Sequence, residues 1–161
     1  MRSMVRLALA IPALGFLLSR SSLYLLDQAR ANEILTWMHG GAQPAALVTP
    51  IRLRLCSAVG NATTNGTEIS AGGSYVQAAA GSTGGVSTGG NWATASGGSQ
   101  ATNAVISQTN MPAATVAAVD VIDSTTGTFK RVEFGSLTAS KTTAAGDTLS
   151  FASGAITSSL T

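Results

Sequence analysis

The chain carries few groups that could do chemistry. Its 161 residues include one cysteine, Cys56, and one histidine, His39. A lone cysteine excludes an internal disulfide framework and a cysteine-built zinc site. A thiol nucleophile would need a base beside it, and His39 falls in a different predicted element. Cys56 instead ends a strand pattern and is expected to be a small, half-buried residue. Charged residues make up only 10% of the sequence and aromatic residues 5%, against about 25% charged in ordinary soluble domains. Paired carboxylates at useful spacing are also missing. Asp120 and Asp123 are expected to face different ways, from a strand and from its turn. These shortages argue against an enzyme and predict no cofactor and no metal.

Long hydrophobic runs are scarce as well. Residues 1–6 resemble a basic leader and residues 7–18 an apolar segment interrupted by Pro12. The run is short for a bilayer, so membrane contact is not expected. It ends in Ser19-Arg20-Ser21-Ser22 with no small-residue cleavage site. Three readings of residues 1–22 stay open: a weak or uncleaved signal, an apolar anchor that docks on a partner, or a misplaced start.

Glycine, alanine, serine and threonine take up the space, so the core must come from valine, isoleucine, leucine and a few phenylalanines. Net charge is +2 and unevenly spread: residues 1–54 hold six arginines against Asp27 and Glu33, and residues 55–161 hold Lys130, Arg131 and Lys141 against five acids. An acidic partner surface could meet the arginine-biased front. No basic run is interleaved with aromatics, so nucleic acid is not expected as a partner.

Residues 23–39 predict a helix, with Tyr24, Gln28, Ala31, Leu35 and Met38 on one face and Gly40-Gly41 as its stop. Trp37 is expected to anchor packing or to contact a partner. His39 suits the carbonyl end of the helix. Pro44 and Pro50 bound a linker. Residues 51–55 form the cleanest strand, with Ile51, Leu53 and Leu55 on one face and Arg52 and Arg54 on a basic outer face open to solvent or an acidic neighbour.

Residues 57–110 are rich in small and polar side chains. Short strands are predicted at 67–69, 75–78 and 103–108, with a Gly/Ser/Ala-rich stretch at about 81–98 that is expected as a long loop or as weak strands completed by a neighbouring subunit, and in which Trp92 anchors or contacts a partner. The glycine pairs of that loop are not a phosphate loop, since no lysine follows and no strand-to-helix context surrounds them. From residue 116 onward the pattern is strand, turn, strand, turn: strands at 116–122, 129–137, 149–151 and 156–160, with turns at 123–127 and 141–147. Gly127 and Gly146 suit turns of positive φ. Asp123 and Asp147 can bond turn backbone. Tyr75 offers apolar area and a hydroxyl that wants a partner. Glu68 is placed to pair with Arg52 or Arg54. These features predict a mainly β fold, an antiparallel, jelly-roll-like β-sandwich over residues 42–161 behind a helical segment at 23–41.

The same residues resemble a family of small structural proteins of tailed bacteriophages, of the tail-fibre or minor-tail type. The resemblance runs from about Ala31 to Thr161. It rests on Ala31-Asn32-Glu33-Ile34-Leu35 before Gly40-Gly41, on Gly66-Thr67-Glu68-Ile69-Ser70 and Gly73-Ser74-Tyr75-Val76, and on the ending. There Ile122-Asp123 through Gly127 is followed by Gly135-Ser136-Leu137-Thr138, Lys141, Gly146-Asp147, Phe151 and Gly154-Ala155-Ile156. Gln77 and Met111 depart from the family's pattern. The resemblance implies a non-catalytic virion component whose partners are other virion proteins, tail or capsid subunits, and which forms a homo-oligomer, with threefold symmetry as one expectation. A capsid decoration protein is the alternative, and a secreted carbohydrate-binding β domain a more distant one.

Overall fold

A computed structural model describes residues 25–78, 84–125 and 128–159. The expectations for residues 1–22, Tyr24 and Gly127 lie outside the described residues. Among the described residues the fold is mainly β, built from antiparallel sheets, with one helix near their N-terminal end. In chain order the elements are β1 (Leu25–Leu26), α1 (Gln28–Met38), β2 (Arg52–Ala58), β3 (Thr67–Glu68), β4 (Val86–Ser87), β5 (Ser99–Ala101), β6 (Ile106–Gln108), β7 (Ala114–Ile122), β8 (Arg131–Thr143), β9 (Leu149–Phe151) and β10 (Thr157–Ser159).

The main sheet runs β1-β8-β7-β2-β3, with β4 also paired to β2. Two further pairs, β6 with β9 and β5 with β10, are antiparallel too. The alternation of β2 decides what each face of the sheet becomes. Leu53 and Leu55 are fully buried and join Val119 and Val121 of β7 in one apolar cluster. Ile106, Leu149 and Phe151 of the β6–β9 pair belong to the same cluster, so that pair covers the apolar face. Each fully buried Leu or Val there is worth about 1.5–3 kcal/mol.

Several elements differ from the sequence expectation. Strand β4 forms inside the stretch at about 81–98, expected as a loop or as strands completed by a neighbouring subunit, and pairs with β2 of the same chain; β5 follows that stretch directly. The helix is shorter than 23–39, because Leu25 and Leu26 extend and pair with Phe134 and Glu133 of β8. Asp27 then caps the helix by accepting the Ala29 N–H at 2.9 Å. No strand forms at 75–78. Tyr75 makes only an isolated bridge with Gly72, and its side chain is held inward by its hydroxyl bonds. Strand β8 runs through Lys141 to Thr143, where a turn was expected, because its far end pairs with the start of β7 (Ala114 with Thr143, Val116 with Lys141).

A register shift between Val121 and Ile122 has the largest consequence. Val121 lies opposite Glu133, and Ile122 lies opposite Arg131. Val132 is the extra residue of this bulge. Alternation alone would put Arg131 and Glu133 on one face. The bulge separates them, so that Arg131 stacks over the Phe134 ring at 4.6 Å while Val132 and Glu133 line a cavity with Val121 and Ile51.

Candidate functional site

The second face of the main sheet is charged and almost dry. Arg54, expected on an outer face open to solvent or an acidic neighbour and within reach of Glu68, is turned into a cluster with Glu68 and Asp120. Its Nε pairs with Glu68 Oε2 at 3.0 Å and its Nη1 with Asp120 Oδ2 at 2.7 Å. The cross-strand register of Arg54 with Asp120 makes the second pair unavoidable. Nη1 also donates to the Gly66 carbonyl at 2.8 Å, and the Gly66 N–H donates to Asp120 at 3.2 Å. A side chain at Gly66 would meet Ala58 O and Cys56 Sγ at 2.8 Å, so glycine is needed for this close approach. Arg131 Nη2 reaches Asp27 Oδ2 at 2.7 Å, and Nη1 lies 3.9 Å from Asp120 Oδ1, an oxygen with no hydrogen-bond partner.

Glu68 also accepts the Tyr75 hydroxyl and the Ala78 N–H, both at 2.8 Å, and Tyr75 Oη accepts the Leu55 N–H at 3.1 Å. Burial, and next the Glu68 carboxylate, push the Tyr75 phenol far above its usual range. Burial, followed by Asp120, pushes the Cys56 thiol up to about 12. A thiol so high stays protonated and is a poor nucleophile. The cluster therefore pins strands and loops together and offers no activated group. Sequence reasoning passed over Asp120 and Arg131. The signal was an aspartate inside the apolar run 116–122, on the strand that pairs with the one carrying Arg54.

The other residues singled out by the sequence are scattered. Arg52 donates to the carbonyls of Gly84 and Gly85 and spans from β2 to the glycine-rich segment. Asp123 accepts from Thr125 Oγ1 (2.6 Å) and from the backbone N–H groups of Lys130 (2.7 Å), Thr125 and Val48. Burial opposes its ionisation, but these bonds outweigh burial and hold it below the usual aspartate range. Gly146 has a φ of +91°, and Asp147 accepts the Ala144 N–H at 2.7 Å in the same turn. Trp92 is partly buried against the apolar cluster and donates its indole N–H to Thr88 Oγ1 at 3.2 Å.

Trp37 contrasts with these. No residue of α1 is buried. Leu35, Trp37 and Met38 are 53%, 52% and 68% exposed. Of the two roles expected for Trp37, it does not anchor packing within the described residues, because the helix is held at its N-terminal end and not along a face. Asp27 N–H donates to Val132 O and Gln28 N–H to Ala62 O, both at 2.9 Å. Arg30 donates to Ala45 O at 3.1 Å, and an open groove of about 610 Å³ runs between Ile34, Trp37 and residues 43–46.

Among the described residues, no group of three or more His, Cys, Asp or Glu side chains is placed to hold a metal ion, and no helix is long and apolar enough to cross a membrane. The family described as "Podophage GP4 fiber I protein gp80" matches residues 26–159, nearly the whole described chain. The chain belongs to this family. Neither a curated protein nor a solved structure matches it. The family is a podophage tail-fibre family, which places the chain in the virion as a structural component in contact with other virion components. A cluster without an activated nucleophile and an exposed apolar helix accord with that role.

Proposed function

We propose that the chain is a non-catalytic subunit of the podophage tail fibre that works through protein–protein contacts, with α1 as a principal contact surface. The observation that carries this reading is the helix that buries none of its residues and exposes Leu35, Trp37 and Met38 around its last turn. Clustered exposed apolar groups of this kind favour covering by another protein. Association between copies of this chain is part of the proposal, and native mass spectrometry of the purified protein tests it.

The deciding experiment is the copy number in purified particles, by quantitative mass spectrometry against the major capsid protein. A few copies per particle are expected. A ratio near one would make the chain a head decoration protein and overturn the tail reading. In parallel, the Leu35→Ser, Trp37→Ser, Met38→Ser triple variant should keep its melting temperature within the range of exposed substitutions, about 0.5 kcal/mol each, and should fail to enter particles. Normal incorporation would remove α1 as the contact surface.

A further inference from the structure

Glu133 is the buried carboxyl group that the fold leaves without a charge partner. It is 8% exposed. Asp27, Glu33, Glu68 and Asp120 pair with arginine, and Asp123 is held by backbone N–H groups. Glu133 receives one hydrogen bond, from the Ser158 hydroxyl to Oε1, and no cation pairs with it among the described residues. The second oxygen, Oε2, is not among the sealed, unpartnered buried atoms. Burial raises the pKa, and the Ser158 hydroxyl only partly opposes this. An ionised carboxylate in that position costs stability, and groups of this kind gather at functional sites.

The surroundings of Glu133 form a cleft of about 220 Å³. That is below the roughly 300–1,000 Å³ of a drug-sized pocket, which suits a single side chain. Leu47, Ile51, Val121 and Val132 supply an aliphatic wall. Trp92 adds its indole, and because the N–H is already given to Thr88, ring carbon is what it offers the cleft. Gln100 completes the rim, with its amide NH₂ held by Ala93 O at 2.9 Å. Glu133 is the only ionisable group that lines the cleft among the described residues.

An aliphatic wall that ends at an uncompensated carboxylate beside an indole matches a methylene stem with an ammonium head. Lysine fits better than arginine. Ser158 already occupies one carboxylate oxygen, and the oxygen left over suits a point charge better than a two-pronged guanidinium. We propose that this cleft is a socket for a lysine side chain of a neighbouring virion protein, with Glu133 as its counter-ion. The proposal rests on the chain being an assembly subunit.

The test uses N-acetyl-lysine amide as the probe and N-acetyl-norleucine amide as its uncharged counterpart, with the full chain observed by NMR. The lysine probe should shift the Trp92 indole signal saturably, and Glu133→Gln should weaken that binding about tenfold or more, the value of a hydrogen bond to a charged group. In the unsubstituted protein, the Glu133 carboxyl carbon should titrate at lower pH with the lysine probe present and be unmoved by the norleucine probe. Equal responses to the two probes, undiminished binding by Glu133→Gln, or an unmoved carboxyl titration would each overturn the socket. A copy number that placed the chain on the head would overturn the tail reading and leave this titration as it stands.

Discussion

At the scale of single residues, the two faces of the main sheet obey opposite rules. On the apolar face, cost follows lost packing. On the charged face it follows the stranding of a charge. Asp120 is fully buried between Arg54 and Arg131. Asp120→Ala leaves Arg54 with Glu68 alone and should destabilise the fold by about 3–5 kcal/mol, the cost of breaking a buried ion pair on one side. Urea unfolding monitored by circular dichroism measures it. Glu133→Gln should act in the other direction. The folded-state pKa of Glu133 is raised, so the folded form binds its proton more tightly than the unfolded chain does. The contribution of Glu133 to wild-type stability is then fully present below the ordinary glutamate range and is lost as pH rises through the raised value. The melting temperature of the glutamine variant should gain on wild type as pH rises above the ordinary glutamate range. A gain that ran the other way with pH would show that Glu133 is stabilised as the anion.

At the scale of elements, α1 and the β8 bulge carry the interest. The helix is tied to the body through Asp27, which caps it, donates its N–H to Val132 O and pairs with Arg131. Asp27→Ala removes the cap, worth about 0.5–2 kcal/mol, and leaves Arg131 with only its longer carboxylate contact, to Asp120 at 3.9 Å. Hydrogen exchange should show α1 losing protection while β2 and β7 keep theirs. Uniform loss across the chain would mean that the helix is part of the cooperative core. The end of this element was legible in advance, because Gly40-Gly41 is a stop, but its start was not: the expected helix began at residue 23, with Asp27 inside it and not as its cap. Its exposure was not legible, because a stripe at helical spacing looks the same whether it covers a core or awaits a partner. The bulge at Val132 was equally hidden. It depends on how β7 and β8 align, and alternation read along one strand places Arg131 and Glu133 on the same face.

At the scale of the whole molecule, a body pinned by ion pairs carries one unburied helix and one cleft with an uncompensated carboxylate. Under the proposed function and the proposed socket, both are contacts with other virion proteins. If they are separate contacts, the triple α1 variant should still bind N-acetyl-lysine amide as wild type does, by the same NMR titration. Loss of that binding would show one continuous surface.

The sequence by itself determined the class of the fold, because alternation, turn residues and a capped periodic run are local properties. It also determined the poverty of reactive groups, which is a matter of composition, and the resemblance to a phage structural family. Only the tertiary structure decided where the charges went. Arg54 and Asp120 lie 66 positions apart, and Arg131 and Asp27 lie 104 apart. Their pairing is set by strand register and a bulge. The same register left Glu133 without a cation among the described residues, since the lack of a charge partner is a fact about every neighbour it might have had.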